Sequence, residues 1–255
     1  MAVIDSALPT SADTRVAAYA EAARKVYGEG DTQVVALDSV DVSFATGEFT
    51  AIMGPSGSGK STLMHSLAGL DRLTSGRVVI GDTDLSQLSE KELTLLRRTK
   101  IGFVFQAFNL IPTLTAEENI TLPLDLGKTT PDGEWIDEVV RAVGLADRLG
   151  HKPNELSGGQ QQRVAVARAL ASRPEVVFAD EPTGNLDSQT GAAILDFMRS
   201  AVGTYGQTIV MVTHDPVAAS YADRVLFLAD GQIRSELRDP DTDSILASLR
   251  ASAQS

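Results

Sequence analysis

The stretch EFTAIMGPSGSGKSTLMHSLAGL, Glu48–Leu70, decides the architecture. Its first third is apolar with little polar interruption, as in a buried strand. Its last third has helical composition and reaches a stop at Gly69. Between them, Gly54, Pro55, Ser56, Gly57, Ser58, Gly59, Lys60, Ser61 and Thr62 match G-x-x-x-x-G-K-[ST] in the strand-to-helix setting that the pattern requires. Glycine lets the backbone turn so that successive N–H groups converge on phosphate oxygens. Lys60 adds a positive charge to those oxygens, and Ser61 offers a hydroxyl to Mg²⁺. The loop is therefore read as a cradle for the phosphates of a nucleoside triphosphate.

Working outward, TQVVALDSVDVSF precedes this unit as a strand, and AAYAEAARKVYGEG (17–30) reads as a short helix whose end, VYGEG, turns into a strand entry. RVVIGDTDL reads as a strand with a turn. SEKELTLLRR reads as a helix opened by Ser89 and Glu92 in capping-box spacing. IGFVFQ is a strand. From Ala107 strand signals give way to proline-punctuated helical stretches, including WIDEVVRAVG, read as a helical subdomain inserted over about 107–160. Strands then alternate with helices: EVVFAD, SQTGAAILDFMRSAV, TIVMVTH, PVAASYA and RVLFLADGQI, the last read as one strand. Such alternation implies right-handed crossovers and a mainly parallel sheet. The expected fold class is α/β, a P-loop NTPase with a mainly parallel core sheet, an N-terminal antiparallel β part and the helical insertion. The expected organisation is a flexible segment 1–20, a nucleotide-binding domain 21–238, and a tail or short helix from 239 to 255.

Three strand ends carry further chemistry. Asp180 closes an apolar strand at the edge where open α/β sheets bind ligands, and suits a Mg²⁺-holding role. Glu181 follows at once, placed to polarise an attacking water as general base. Gln106 ends IGFVF, from where its amide is within reach of Mg²⁺ or the water. His214 closes TIVMVT and joins the catalytic candidates Glu181, Gln106 and Lys60; Asp215-Pro216 beyond it looks like a helix cap. The stretch NELSGGQQQR, Asn154–Arg163, is a second candidate helix N-terminus for an anion, built on Ser157, Gly158, Gly159 and Gln160.

Taken in order, the phosphate loop, Gln106, LSGGQQQR, VVFADEP, GNLD and His214 resemble the ATP-binding subunit of an ABC transporter, over roughly 22–238. The resemblance implies ATP and Mg²⁺ as ligands, ATP hydrolysis as the activity, and a homodimer formed head to tail on ATP. In that arrangement the Ser157 helix end faces the γ-phosphate held by the partner's loop. It also implies that Tyr27 stacks on adenine and that Asp187 in GNLD links the two sites. GPSGSGKSTLMHSLAGLDRLTSG, LRRTKIGFVFQAFNLIPTLTAEENITLPL and LSGGQQQRVAVARAL look like the MacB/LolD type, with the FtsE cell-division type a near relative. Such a subunit powers a separate MacB/FtsX-like permease, exporting or transmitting force. Docking of that permease is expected just after Gln106, on Phe108, Leu110 and Ile111, with its Lys- and Arg-rich loops drawn by this chain's acidity.

Bulk properties agree. The formal charge is −12 and hydrophobic residues make up 43%. An acidic chain lacks the cationic surface that dominates nucleic-acid binding, so no nucleic-acid partner is expected, and an ABC-type ATPase acting on DNA or ribosomes is the lesser alternative. Cysteine is absent, removing disulfides and thiol chemistry. No apolar run nears the ~18–20 residues of a membrane span, and the N-terminus does not read as a signal peptide. A cytoplasmic protein, peripheral on the inner face of the cell membrane, is expected.

Overall fold

A computed structural model describes residues 15–252. Two sheets form. Sheet A is antiparallel, in the order β2 (Val34–Ala45), β1 (Val16–Tyr27), β4 (Ser75–Ile80), β5 (Thr83–Asp84). Sheet B runs β10 (Gln232–Arg238), β9 (Arg224–Ala229), β3 (Phe49–Met53), β8 (Ile209–Val212), β7 (Val176–Asp180), β6 (Ile101–Phe105). Every pairing in sheet B is parallel except the β9–β10 hairpin at one edge.

Sheet B is buried on both faces, as crossover helices require. Side chains alternate along each strand, so Ala51, Met53, Val177, Ala179 and Met211 enter one core, and Ile52, Val176, Phe178, Val210 and Val212 the other. The second core is closed by α1 (Lys60–Leu67), α2 (Glu90–Lys100) and sheet A. The first is closed by α3 (Ala116–Gly127), α4 (Gly133–Ala142), α5 (Gly158–Leu170), α6 (Ser188–Tyr205), α7 (Pro216–Ala219) and α8 (Thr242–Ser252). The inserted helices thus share the main core. Trp135 of α4 anchors them: its indole N–H donates to Leu170 O at 3.1 Å and its ring meets Tyr205 edge-on at 5.0 Å. Capping boxes start α2 at Ser89–Glu92 and α3 at Thr115–Glu118.

Three expectations change, and of the tail or short helix expected after 239 the helix forms. The 17–30 segment is strand β1, not a helix. It lies between β2 and β4, where only small side chains fit, and Ala18, Ala20 and Ala23 are fully buried. Pairing on both sides overrides alanine's helix preference. A bulge at Ala22 (φ 44°) shifts the inward phase from Ala20 to Ala23 and hides the alternation. Because β1 begins at Val16, the ordered part starts before residue 21; residues 1–14 lie outside the described residues. RVLFLADGQI is the start of a hairpin, turned at Asp230-Gly231 with φ of 49° and 70°, the backbone that Asp-Gly favours. The segment after 239 forms α8 and inserts Ile245 into the core with no exposed surface. Among the described residues, no helix is long and apolar enough to cross a membrane.

Candidate functional site

Strand register assembles the site. Phe105, Asp180, Val212 and Ile52 are partners in one row across β6, β7, β8 and β3. The residues just beyond this row, Gln106, Glu181, Thr213 and the Met53–Gly54 link, leave the sheet side by side at its carboxyl edge.

The phosphate loop departs from β3 through Gly54 (φ 154°), where a Cβ would lie 2.0 Å from Leu228 O. At Gly59 (φ 103°) a Cβ would lie 2.3 Å from Ala36 O. Side chains are excluded at both. Gly59 also precedes α1 without a side-chain cap, leaving the first-turn amides for an anion. Lys60 Nζ donates to Gly54 O at 2.9 Å and Pro55 O at 2.8 Å. Burial lowers its pKa, against the pull of Glu181 and Asp180. Ser61 and Thr62 follow in the first turn of α1.

Burial raises the Asp180 carboxyl above its ordinary value, and Glu181 adds to this while His65 and Lys60 oppose it. Glu181 sits at φ 46°, left-handed for a non-glycine residue, a strain of the kind found where geometry is dictated by function. Its carboxylate is oriented on both oxygens. Oε1 accepts the His214 backbone N–H at 3.1 Å and faces His214 Nδ1 at 2.7 Å; Oε2 accepts the Thr213 hydroxyl at 3.3 Å. Thr213 is fully buried, and its Oγ1 accepts the Asp215 N–H at 3.1 Å, so its own proton is free for Glu181. Gln106 is braced by Asn185: Gln106 Nε2 reaches Asn185 Oδ1 at 3.4 Å, and Asn185 Nδ2 donates to Gln106 O at 2.9 Å.

Ser157 caps α5 through a capping box, its Oγ accepting Gln160 N–H at 3.3 Å while Gln160 Oε1 accepts Ser157 N–H at 2.8 Å. Gly158 faces the Phe108 ring, and a Cβ on Gly159 would lie 2.3 Å from Thr190 Cγ2, so the turn is pressed against the start of α6. Asp187 caps α6, accepting Thr190 N–H at 3.0 Å and Thr190 Oγ1–H at 2.7 Å. Those bonds, the hydroxyl's first, lower its pKa.

Tyr27 stands at the end of β1, half exposed, and its hydroxyl donates to Asp71 Oδ2 at 2.6 Å. Burial and then that bond raise its pKa, while the Thr62 hydroxyl of α1 opposes them. The Lys25 ammonium lies 4.8 Å from the ring centroid, and Tyr27 thus adjoins the helix of the phosphate loop.

Sequence reasoning passed over Thr213, Asn185 and Gln162. Gln162 is fully buried and its amide donates to Pro182 O, joining α5 to the turn after Glu181; its signal was a glutamine on the inward face of an otherwise apolar helix. The three expected docking residues differ in exposure, Phe108 being half-buried. Leu110 packs against the core and Phe108 faces Gly158, leaving Ile111 (38% exposed) as the outward member of the three. Phe108 and Asn109 have φ of 58° and 49°, and Arg168 of α5 holds their carbonyls at 2.9 and 2.6 Å. That clamp ties the segment to α5.

Comparison with known proteins agrees with this geometry. The ABC transporter family matches residues 37–184. The uncharacterized ABC transporter ATP-binding protein MJ0796 of Methanocaldococcus jannaschii is 47% identical over 218 residues, covering 83% of this chain and 93% of the relative. Its dimeric post-hydrolysis structure with ADP and Pi superposes with a TM-score of 0.79, covering 88% of this chain and 99% of that one. The bacitracin export ATP-binding protein BceA of Halalkalibacterium halodurans is 43% identical over 219 residues, 85% of this chain and 87% of the relative. The macrolide export ATP-binding/permease protein MacB of Bdellovibrio bacteriovorus is 45% identical over 215 residues, 84% of this chain but 33% of that longer protein.

Proposed function

The chain belongs to the ABC transporter family as an ATP-binding, ATP-hydrolysing subunit, and from that premise we propose that it powers a separate MacB/FtsX-type permease by closing head to tail on ATP. The observation that carries this reading is the pair of helix N-termini, one beside the acids at the sheet edge and one at Ser157 pressed on α6. A single nucleotide site has use for the first. The second is explained when a partner copy supplies it, each subunit offering its Ser157 turn to the other's γ-phosphate across a two-fold axis. MJ0796 is itself dimeric with ADP and Pi. The protein would then work on the inner face of the membrane, beside its permease.

In the mechanism, amides of the phosphate loop and Lys60 bind the β- and γ-phosphates, Lys60 leaving the Gly54 and Pro55 carbonyls to do so. Tyr27 stacks on the base. The residues fit Mg²⁺: Asp180 is a half-buried carboxyl whose ionised form is disfavoured by burial and by Glu181, a situation that a divalent cation relieves. Asp180, Ser61 and Gln106 would hold it, and when bound it supplies charge neutralisation at the phosphate oxygens. Glu181, held by Thr213 and His214, takes a proton from the attacking water. The water oxygen bonds to the γ-phosphorus as the bond to ADP breaks, and inorganic phosphate leaves. His214 orients Glu181 and lies beside the attack position.

The test is Glu181→Gln. Removing a general base typically slows the chemical step by about 10²–10⁴-fold, whereas ATP binding should persist and a stable dimer should accumulate, read by size-exclusion chromatography with and without ATP. Hydrolysis at the wild-type rate, or a monomer at saturating ATP, would overturn the reading.

A further inference from the structure

Tyr27 is the last residue of β1 and 42% exposed, so packing alone leaves its ring free to change rotamer. Polar contacts fix it instead. Its hydroxyl donates to Asp71 Oδ2 at 2.6 Å, while Asp71 Oδ1 accepts the Lys25 ammonium at 2.5 Å. That ammonium also donates to Arg72 O at 2.7 Å and stands over the Tyr27 ring, 4.8 Å from its centroid. The Lys25 side chain is only 12% exposed, so this pair escapes most of the solvent screening that weakens surface ion pairs. One carboxylate thus holds the ring by its edge and the cation against its face. Burial works against the Asp71 charge, yet the Lys25 and Tyr27 bonds outweigh it and lower its pKa. The chain after α1 is also stitched to the end of β1. Asp71 N–H donates to His65 O at 3.2 Å, Thr74 N–H to Arg24 O at 2.8 Å, and Val26 N–H to Thr74 Oγ1 at 2.9 Å. Helix α1 therefore carries Lys60, Ser61 and Thr62 at its start and the Asp71 brace just beyond its end.

We propose that Asp71 and Lys25 are positioning residues for the nucleotide base: they hold the Tyr27 ring with one face covered by the ammonium and the opposite face presented to the base. The proposal rests on the reading that Tyr27 stacks on the base, and it adds what sets the ring. A cation over one face leaves a single stacking surface. Stacked rings lie offset and near parallel, so a freely turning ring would have to be frozen at each binding event. Presetting the ring removes that cost, about two- to tenfold in affinity for one side chain. The brace follows the helix whose first turn meets the phosphates, so base and phosphate contacts share one rigid element. The effect belongs to binding rather than to the chemical step, because the grip acts on the ring.

The experiment compares the full chain with its Asp71→Ala, Asp71→Asn and Tyr27→Ala variants and the Asp71→Ala/Tyr27→Ala double variant, folding being checked by circular dichroism. Titration calorimetry without Mg²⁺ reads the binding of ATP and of inorganic tripolyphosphate, which offers phosphates but no base. Asp71→Ala should weaken ATP about two- to tenfold and leave tripolyphosphate unchanged. Asp71→Asn keeps an acceptor for the phenol and should lose less; it gives the same comparison at smaller amplitude if the alanine variant does not fold. In the Tyr27→Ala background, Asp71→Ala should cost ATP nothing more. In steady-state hydrolysis KM should rise by a larger factor than kcat falls. Equal losses for ATP and tripolyphosphate would make Asp71 a support of α1 and overturn the proposal. Independent, multiplying losses in the double variant would overturn it too. ATP binding that responds to Tyr27→Ala but not to Asp71→Ala would sink this proposal alone. Wild-type ATP affinity in Tyr27→Ala would sink the stacking reading and this proposal with it. The Glu181→Gln dimer test judges the ATPase reading independently.

Discussion

Glu181 and Asp180 are adjacent in the chain and opposite in circumstance. Three donors orient the Glu181 carboxylate, whereas Asp180 is held by burial in a form that resists ionisation. That difference has a measurable sign. A carboxyl whose folded pKa is raised binds more protons folded than unfolded over the window from its ordinary value up to the raised one. Its contribution is therefore favourable below that window and is lost as pH rises through it. Asp180→Asn cannot ionise, so nucleotide-free protein with this substitution should unfold at a higher temperature at neutral pH and lose part of the pH slope. Thermal scans from mildly acidic to neutral pH without nucleotide read this out; an unchanged or lowered neutral-pH midpoint would refute it. Mg²⁺-dependent ATP binding should fall in the same variant.

At the scale of elements, α5 connects the parts of the site that the chain leaves far apart. Its first residue follows Ser157, Gln162 reaches the turn after Glu181, Arg168 holds the loop after Gln106, and its last carbonyl accepts the Trp135 indole. A shift of α5 is therefore felt at both Glu181 and the loop after Gln106. Gln162→Leu keeps volume and apolar contacts but strands the Pro182 carbonyl in the interior. Leaving a buried acceptor unsatisfied costs about 1–3 kcal/mol, offset in part because Gln162 Oε1, itself buried without a partner, is removed. Denaturant unfolding should show a loss below that figure, and kcat should fall more than KM rises, because the Glu181 turn loses its support. A kcat unaffected at equal stability loss would reduce Gln162 to a packing residue.

For the whole molecule, the proposed dimer makes each site a composite of two chains, and complementation tests that. Ser157→Arg should block the partner's γ-phosphate position while sparing nucleotide binding by its own loop. Lys60→Ala should weaken that loop while sparing its own Ser157 turn. In a mixed dimer both defects fall in one site and the other is intact. An equimolar mixture should pair on ATP and hydrolyse it at up to about a quarter of the wild-type rate if half the dimers are mixed and each has one working site. ATP-dependent pairing absent from the mixture, with both variants folded, would argue against exchange of the Ser157 turns.

Local chain chemistry sufficed wherever a few consecutive residues hold their own geometry. The loop from Gly54 to Lys60, the Ser89 and Ser157 caps, and the apolar strands ending at Phe105 and Asp180 all form as their residues require, because glycine conformations, capping bonds and buried runs are set within one turn or one strand. Strand order was another matter. That Phe105, Asp180, Val212 and Ile52 share a row, so that Gln106, Glu181, Thr213 and the phosphate loop converge, depends on pairings between distant segments. The same long-range pairing made β1 a strand, since the space between β2 and β4 admits alanine whatever alanine prefers alone. It also ties the Phe108–Asn109 turn to α5, because Arg168 captures two carbonyls about sixty residues back along the chain. Such contacts carry no periodic trace in the sequence, and only closure of the tertiary structure selects them.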